Sequence, residues 1–236
     1  MSFTYSTFLT ALAQEIAITT TNPDFQAILP TFIQNAELRI FRDLDLLSTV
    51  FRDAALTPAH NQRSQTLPQT YGQFVVVEGV NFMNQTVRLN ALTPCSREFI
   101  DGLFPTETAP ASTSSPRFFA RDTDQTILVA PSLGNGYATP SLEVVGTVRP
   151  NPLSATTTTT FISQNLPDLL LYAAMVEATG WMKNYGAQAE DPKMGMSWES
   201  RYQGALSPAL SEETRKKFQS GSWSAKSRPM SQPERV

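Results

Sequence analysis

The apolar residues change period twice along the chain, and that double change restricts the fold more than any single motif does. Up to about Leu47 they recur at three- and four-residue spacing, from there to about Thr160 they alternate, and from Phe161 the helical spacing returns. Tyr5, Phe8, Leu9, Leu12 and Ile16 make a first apolar stripe, broken at Thr19 to Pro23. A second helix then collects Phe25, Ile28, Phe32, Ile33, Ala36, Ile40, Phe41 and Leu44 on one face and sets Glu37, Arg39, Arg42 and Asp43 on the other. Pro30 is expected at a kink or a helix start.

In the middle of the chain, Pro, Gly and Asn punctuate short runs of Val, Phe, Ile and Thr, which is strand composition. The runs are Ser48 to Ala54, Gln73 to Glu78, Thr86 to Asn90, Arg117 to Arg121, Thr126 to Ala130 and Leu142 to Val148, with one short helix over Ser96 to Phe104. Pro105 to Pro116 is nearly all Pro, Thr, Ser and Ala and reads as a solvated loop. Gly134-Asn135-Gly136 reads as a hairpin turn.

Helical spacing resumes with Asn165 or Ser163 as N-cap, Pro167 in the first turn, and Leu169, Leu170, Ala173, Val176, Trp181 and Met182 as a dense apolar set. Another helix, from about Pro192 to Leu206, carries Met194, Trp198 and Tyr202, and Pro208 is expected to end it before a short charged helix from Ser211 to Phe218. Helices, strands and helices in that order give an α+β fold: a bundle of N- and C-terminal helices with an inserted antiparallel β domain and an extended C-terminal arm. The expected divisions are 1–46 for the N-terminal helices, 47–160 for the inserted domain, 161–206 for the C-terminal helices and 207–236 for the basic arm.

Composition removes most catalytic chemistry. One Cys and one His in 236 residues leave no disulfide, no Cys-based zinc site and no two-histidine mechanism. His60 lies in turn-like Thr57-Pro58-Ala59-His60-Asn61, Ser197 has only one of the two glycines of a nucleophile elbow, and Cys95 has no nearby His. Asp43 and Asp45 point to different faces of a helix, and Asp122 and Asp124 sit where Asp is an ordinary turn residue. No phosphate-binding glycine motif occurs. No catalytic, metal or cofactor residue is therefore assigned, and no cofactor is expected.

The longest apolar run, Leu169 to Val176, is far short of the ~20 residues of a membrane span, and no targeting segment is apparent. A cytosolic product that avoids membranes is the expectation. Charged residues are only 17% of the chain, against ~25% in ordinary domains, which suits surfaces covered by subunit contacts. The charge is also divided. From Arg215 to Val236 there are six basic residues and one acidic residue, a net +5, so the formal total of -3 leaves -8 for the preceding 214 residues. Arg215, Lys216, Lys217, Lys226, Arg228 and Arg235 are interleaved with Phe218 and Trp223, as in a binding arm.

Ala36-Glu37-Leu38-Arg39-Ile40-Phe41-Arg42-Asp43-Leu44-Asp45 resembles a run in the head-to-tail adaptor (connector) proteins of short-tailed bacteriophages. In the same order follow Leu67-Pro68, Ile127-Leu128-Val129-Ala130-Pro131, Arg149-Pro150-Asn151-Pro152-Leu153-Ser154 and Phe161 through Ala174. The resemblance spans roughly residues 25 to 205. It implies a structural virion protein and no enzyme: a homo-oligomeric ring of about twelve copies in the neck of the virion, between the portal protein and the tail nozzle protein, assembled in the host cytoplasm. Genomic DNA would pass through the lumen without specific binding. Arg215, Lys216, Lys217, Phe218, Trp223, Lys226 and Arg228 are the candidate portal-binding arm, and Arg39, Arg42, Asp43 and Asp45 the candidate subunit contacts. The alternative is a carbohydrate- or peptide-binding β module with helical flanks; a hydrolase using His60 comes third.

Overall fold

The computed structural model describes residues 2–182 and 192–221. The chain divides into two compact units, Met1–Leu47 with Pro152–Val236 and, between them in sequence, Ser48–Asn151. The fold is α+β, with helices flanking a β domain.

In the helical unit, α1 (Tyr5–Glu15) starts at a Thr4 capping box with Thr7 and buries Phe8, Leu12 and Ala13. α2 (Pro23–Asp43) starts where the Asn22 side chain accepts from the amides of Asp24 and Phe25, with Pro23 at the first helical position. Pro30 lies inside α2. A proline there costs about 3 kcal/mol, and burial of Leu29, Phe32 and Ile33 on either side offsets it. Further along the chain, α4 (Phe161–Asn165) and α5 (Pro167–Met182) follow. Thr160 caps α4 in a capping box with Ser163, so Ser163 and Asn165, expected to cap the helix that Pro167 opens, instead lie inside this separate short helix. α5 buries neighbouring residues on both sides, Leu169 with Leu170 and Ala173 with Ala174, because it packs against α1, α2, α4 and α6.

α6 (Pro192–Gly221) corrects the expected end of the bundle. Pro208 does not interrupt it: the short charged helix expected over Ser211 to Phe218 is part of one continuous helix that runs to Gly221, within the stretch assigned to an extended arm. Pro208 is exposed, while Trp198, Tyr202, Ala209 and Glu213 are buried at spacings of four, seven and four along one stripe. That stripe runs across the proline, so tertiary packing outweighs the lost backbone hydrogen bond. Of the arm expected at 207–236, residues 222–236 lie outside the described residues.

The β unit holds β1 (Val50–Leu56), β2 (Ser64–Thr66), β3 (Gly72–Asn84), β4 (Val87–Ala91), β5 (Thr93–Pro94), β6 (Phe118–Arg121), β7 (Thr126–Ala130) and β8 (Pro140–Pro150). They form two four-stranded sheets, β1-β8-β3-β4 and β2-β7-β6-β5. All pairings are antiparallel except the short β5–β6 pair. Phe74, Phe82, Leu142 and Val144 of the first sheet share a core with Phe119, Ile127 and Val129 of the second. Leu128 and Ala130 point the other way, to a small core beneath Ile100 of α3 (Arg97–Leu103). Apolar layers on both faces explain the unbroken apolar run of β7.

Two expected features of this unit differ. Gly134-Asn135-Gly136 does not turn a hairpin, because β7 and β8 belong to different sheets. The stretch is a crossing loop against residues 111–114: the Gly134 amide donates to Ser114 O at 2.9 Å and the Gly136 amide to Ser112 O at 2.7 Å. A Cβ on Gly134 would collide with the carbonyl oxygens of Ser112 and Ala111. The Pro105 to Pro116 segment, read as solvated, is thus tied down in its second half, where Thr113 O also accepts from the Tyr137 hydroxyl at 3.0 Å.

Candidate functional site

His60, Cys95 and Asp122 each have a partner within the β unit. His60 Nδ1 lies 2.9 Å from the Gly134 carbonyl oxygen. The Cys95 thiol donates to Phe119 O at 3.5 Å, and burial pushes it up, away from the thiolate. Asp122 pairs with Arg97 at 2.9 Å, and Ser197 is exposed on α6. Among the described residues no group of three or more His, Cys, Asp or Glu could hold a metal ion, and no helix is long and apolar enough to cross a membrane.

The chemistry that does converge is a charged seam between the C-terminal part of α2 and α6. Arg39 Nη2 donates to Glu199 Oε1 at 2.6 Å, and its guanidinium lies 4.1 Å from the centre of the Tyr202 ring. Tyr202 is fully buried and donates its hydroxyl proton to Asp43 Oδ2 at 2.6 Å. Gln203 Nε2 donates to the same Glu199 oxygen at 2.8 Å. The hydrogen bond from Arg39, then that from Gln203, holds the Glu199 carboxyl below the usual range, and Glu199 in turn raises Arg39. Burial, then the bond to Asp43, pushes the Tyr202 hydroxyl up, so it stays a donor. The seam therefore locks α2 to α6.

Two buried glutamates of the helical unit each hold a backbone amide beside a chain crossing. Glu213 Oε2 accepts from Leu47 N at 3.0 Å, and Glu37 Oε2 accepts from Leu153 N at 3.0 Å. Leu47 is the last residue before the β unit, and Leu153 follows the return closely. Lys216 neutralises Glu213 at 2.7 Å and also pairs with Glu212. Glu37 Oε1 accepts from Thr160 Oγ1 at 2.9 Å, and burial raises its pKa. Sequence placed Glu37 on the exposed face of α2, but it is only 2% exposed.

Residues 3–229 match the family model of the SU10 adaptor protein. The chain belongs to the SU10 adaptor protein family. It is thus a bacteriophage adaptor, a structural class rather than an enzyme class, as the resemblance of the 36–45 run indicated. The comparison with curated proteins finds no match.

In this SU10 adaptor family member, Arg39 and Asp43, read as subunit contacts, engage α6 of their own chain. Asp45 pairs with Lys217, and Arg42 is exposed. Of the residues assigned to the arm, Lys216 and Lys217 are held by acids of the helical unit, while Arg215 and Phe218 are exposed on α6. Trp223, Lys226 and Arg228 lie outside the described residues. Sequence reading missed Glu199 and Glu213 as partners. The apolar stripe Trp198, Tyr202, Ala209 carries a signal for Glu213, because extending its spacing by four reaches that residue.

Proposed function

We propose that the chain is the head-to-tail adaptor of its phage, a ring of about twelve copies in the virion neck that joins the portal protein to the tail nozzle protein. The family match across residues 3–229 carries this reading. The ring surrounds part of the channel through which genomic DNA passes, and the acidic body favours passage over adhesion because phosphate contacts are what immobilise DNA. Assembly takes place in the host cytoplasm.

The exposed end of α6, with Arg215 and Phe218, begins the portal-binding arm, and Trp223, Lys226 and Arg228 extend it. Lys216 and Lys217 fix the base of that arm to the helical unit. Arg42 is the direct subunit contact of its group, while Arg39, Asp43 and Asp45 shape that contact by fixing α2 to α6.

Mixing the purified chain with the portal of the same phage tests the reading. A monomer that becomes a ring-sized particle, seen by negative-stain imaging, is the expected result. A chain that stays monomeric beside the portal overturns it. Deleting residues 222–236 is expected to weaken attachment while sparing the helical signal, and attachment as tight as that of the intact chain removes the arm assignment.

A further inference from the structure

We infer that the sheet β1-β8-β3-β4 joins edge to edge with the same sheet of neighbouring copies, β4 of one copy pairing antiparallel with β1 of the next. The partner, a second copy of this chain, rests on the ring reading above; the surface goes beyond it.

Strand direction carries the inference. Every pairing in this sheet is antiparallel and the strands number four, so its two edges run in opposite directions. Copies related by rotation keep the direction of each strand, and the β4 edge of one then meets the β1 edge of the next antiparallel, the more stable pairing. The second sheet lacks this property. Its β5–β6 pair is parallel, so β2 and β5 run the same way, and β5 is only two residues long.

The side chains at these edges agree. Val87 and Leu89 on β4 are 59% and 45% exposed, and Val50 on β1 is 39% exposed. Val50 continues through its partner Thr147 to exposed Val76 on the same face. Neither strand contains the lysine or proline that blocks edge pairing in many sheets. Arg52 and Arg88 both turn to Glu143 within the sheet, at 3.8 and 3.1 Å, so one carboxylate offsets half of the positive charge carried by the two edges. The irregularities between Asp53 and Leu56 and across Phe82/Met83 keep the contact short.

Cross-linking tests the contact. In a Cys95→Ser background, Leu89→Cys is combined with Val50→Cys or with Ala54→Cys, two positions because strand tilt sets the stagger. The full chain is assembled with its portal and treated with a short thiol cross-linker. A ladder of dimers, trimers and higher products from a double variant, with none from any single variant, is expected. Ring-sized particles without a ladder overturn the inference, and so do dimers from Leu89→Cys alone, the product of two-fold β4 pairing. If no ring-sized particle forms, the ring reading fails separately, and the concentrated free chain decides the edge contact: no ladder there overturns it too. Val87→Lys added to the double variant is expected to abolish the ladder, whereas Leu103→Lys on α3, also at an exposed site, leaves it intact; equal loss from both counts against the edge.

Discussion

The Tyr202 hydroxyl donates a 2.6 Å hydrogen bond to the Asp43 carboxylate, across 159 residues of chain. That bond ties the end of α2 to the middle of α6. Tyr202→Phe keeps the buried ring and removes only the donor, so urea unfolding should show a loss of about 1 kcal/mol. Tyr202→Ala removes the ring as well, and a loss of about 3–5 kcal/mol is expected. Equal effects from the two variants would mean that the ring contributes nothing.

Glu37 links stability to acidity. Its folded pKa is raised by burial, so its favourable contribution is fully present below the unfolded value near 4.5 and is lost as pH rises through the folded value. Glu37→Gln deletes this titration. The stability difference between the parent and Glu37→Gln should shift against the parent as pH rises from 4.5, measured by unfolding across a pH series; a difference constant in pH contradicts the assignment.

Glu199 acts with the opposite sign. Its folded pKa is lowered by Arg39 and Gln203, so the contribution is present above the unfolded value near 4.5 and disappears as pH falls through the folded one. The side chain is 38% exposed, so screening keeps the effect of Glu199→Gln to about 0.5–1 kcal/mol at neutral pH. Added salt should reduce it, and an effect independent of salt argues for a packing role.

Gly134→Ala places a methyl group against the carbonyls of Ser112 and Ala111. The crossing loop and residues 111–114 must separate, at a cost of about 1–3 kcal/mol. Limited proteolysis within residues 105–116 should accelerate while the helical signal stays unchanged. Gly102→Ala, where a Cβ has open space, is the matched control.

The legible parts of the fold are those whose burial follows a simple period. β7 lies at Thr126–Ala130 as its apolar run predicted, and α3 falls within the short helix expected over Ser96 to Phe104. β3 continues six residues past Glu78, because Gly79 sits at an irregularity in the ladder and the Asn81 amide is satisfied by Glu143 at 2.6 Å; both residues read locally as breakers. β2 was illegible because its one buried side chain is Gln65, held by Ala59 N and Gln62 O rather than by apolar contact. Pro208 misled because its local penalty is visible in sequence, whereas the buried Ala209 and Glu213 that oppose it depend on the tertiary fold. In the charged seam, the residue types were legible but their partners were not. Arg39 and Asp43 look like solvent-facing residues until α6, 160 positions later, covers them.

The paired glutamates at Leu47 and Leu153 also bear on mechanics. Tension applied to the inserted unit can reach the helices covalently only along those two lengths of backbone. It meets an amide gripped by a carboxylate on each before any helix is pulled. Load is thereby shared between two anchor points, and neither helix terminus takes it alone.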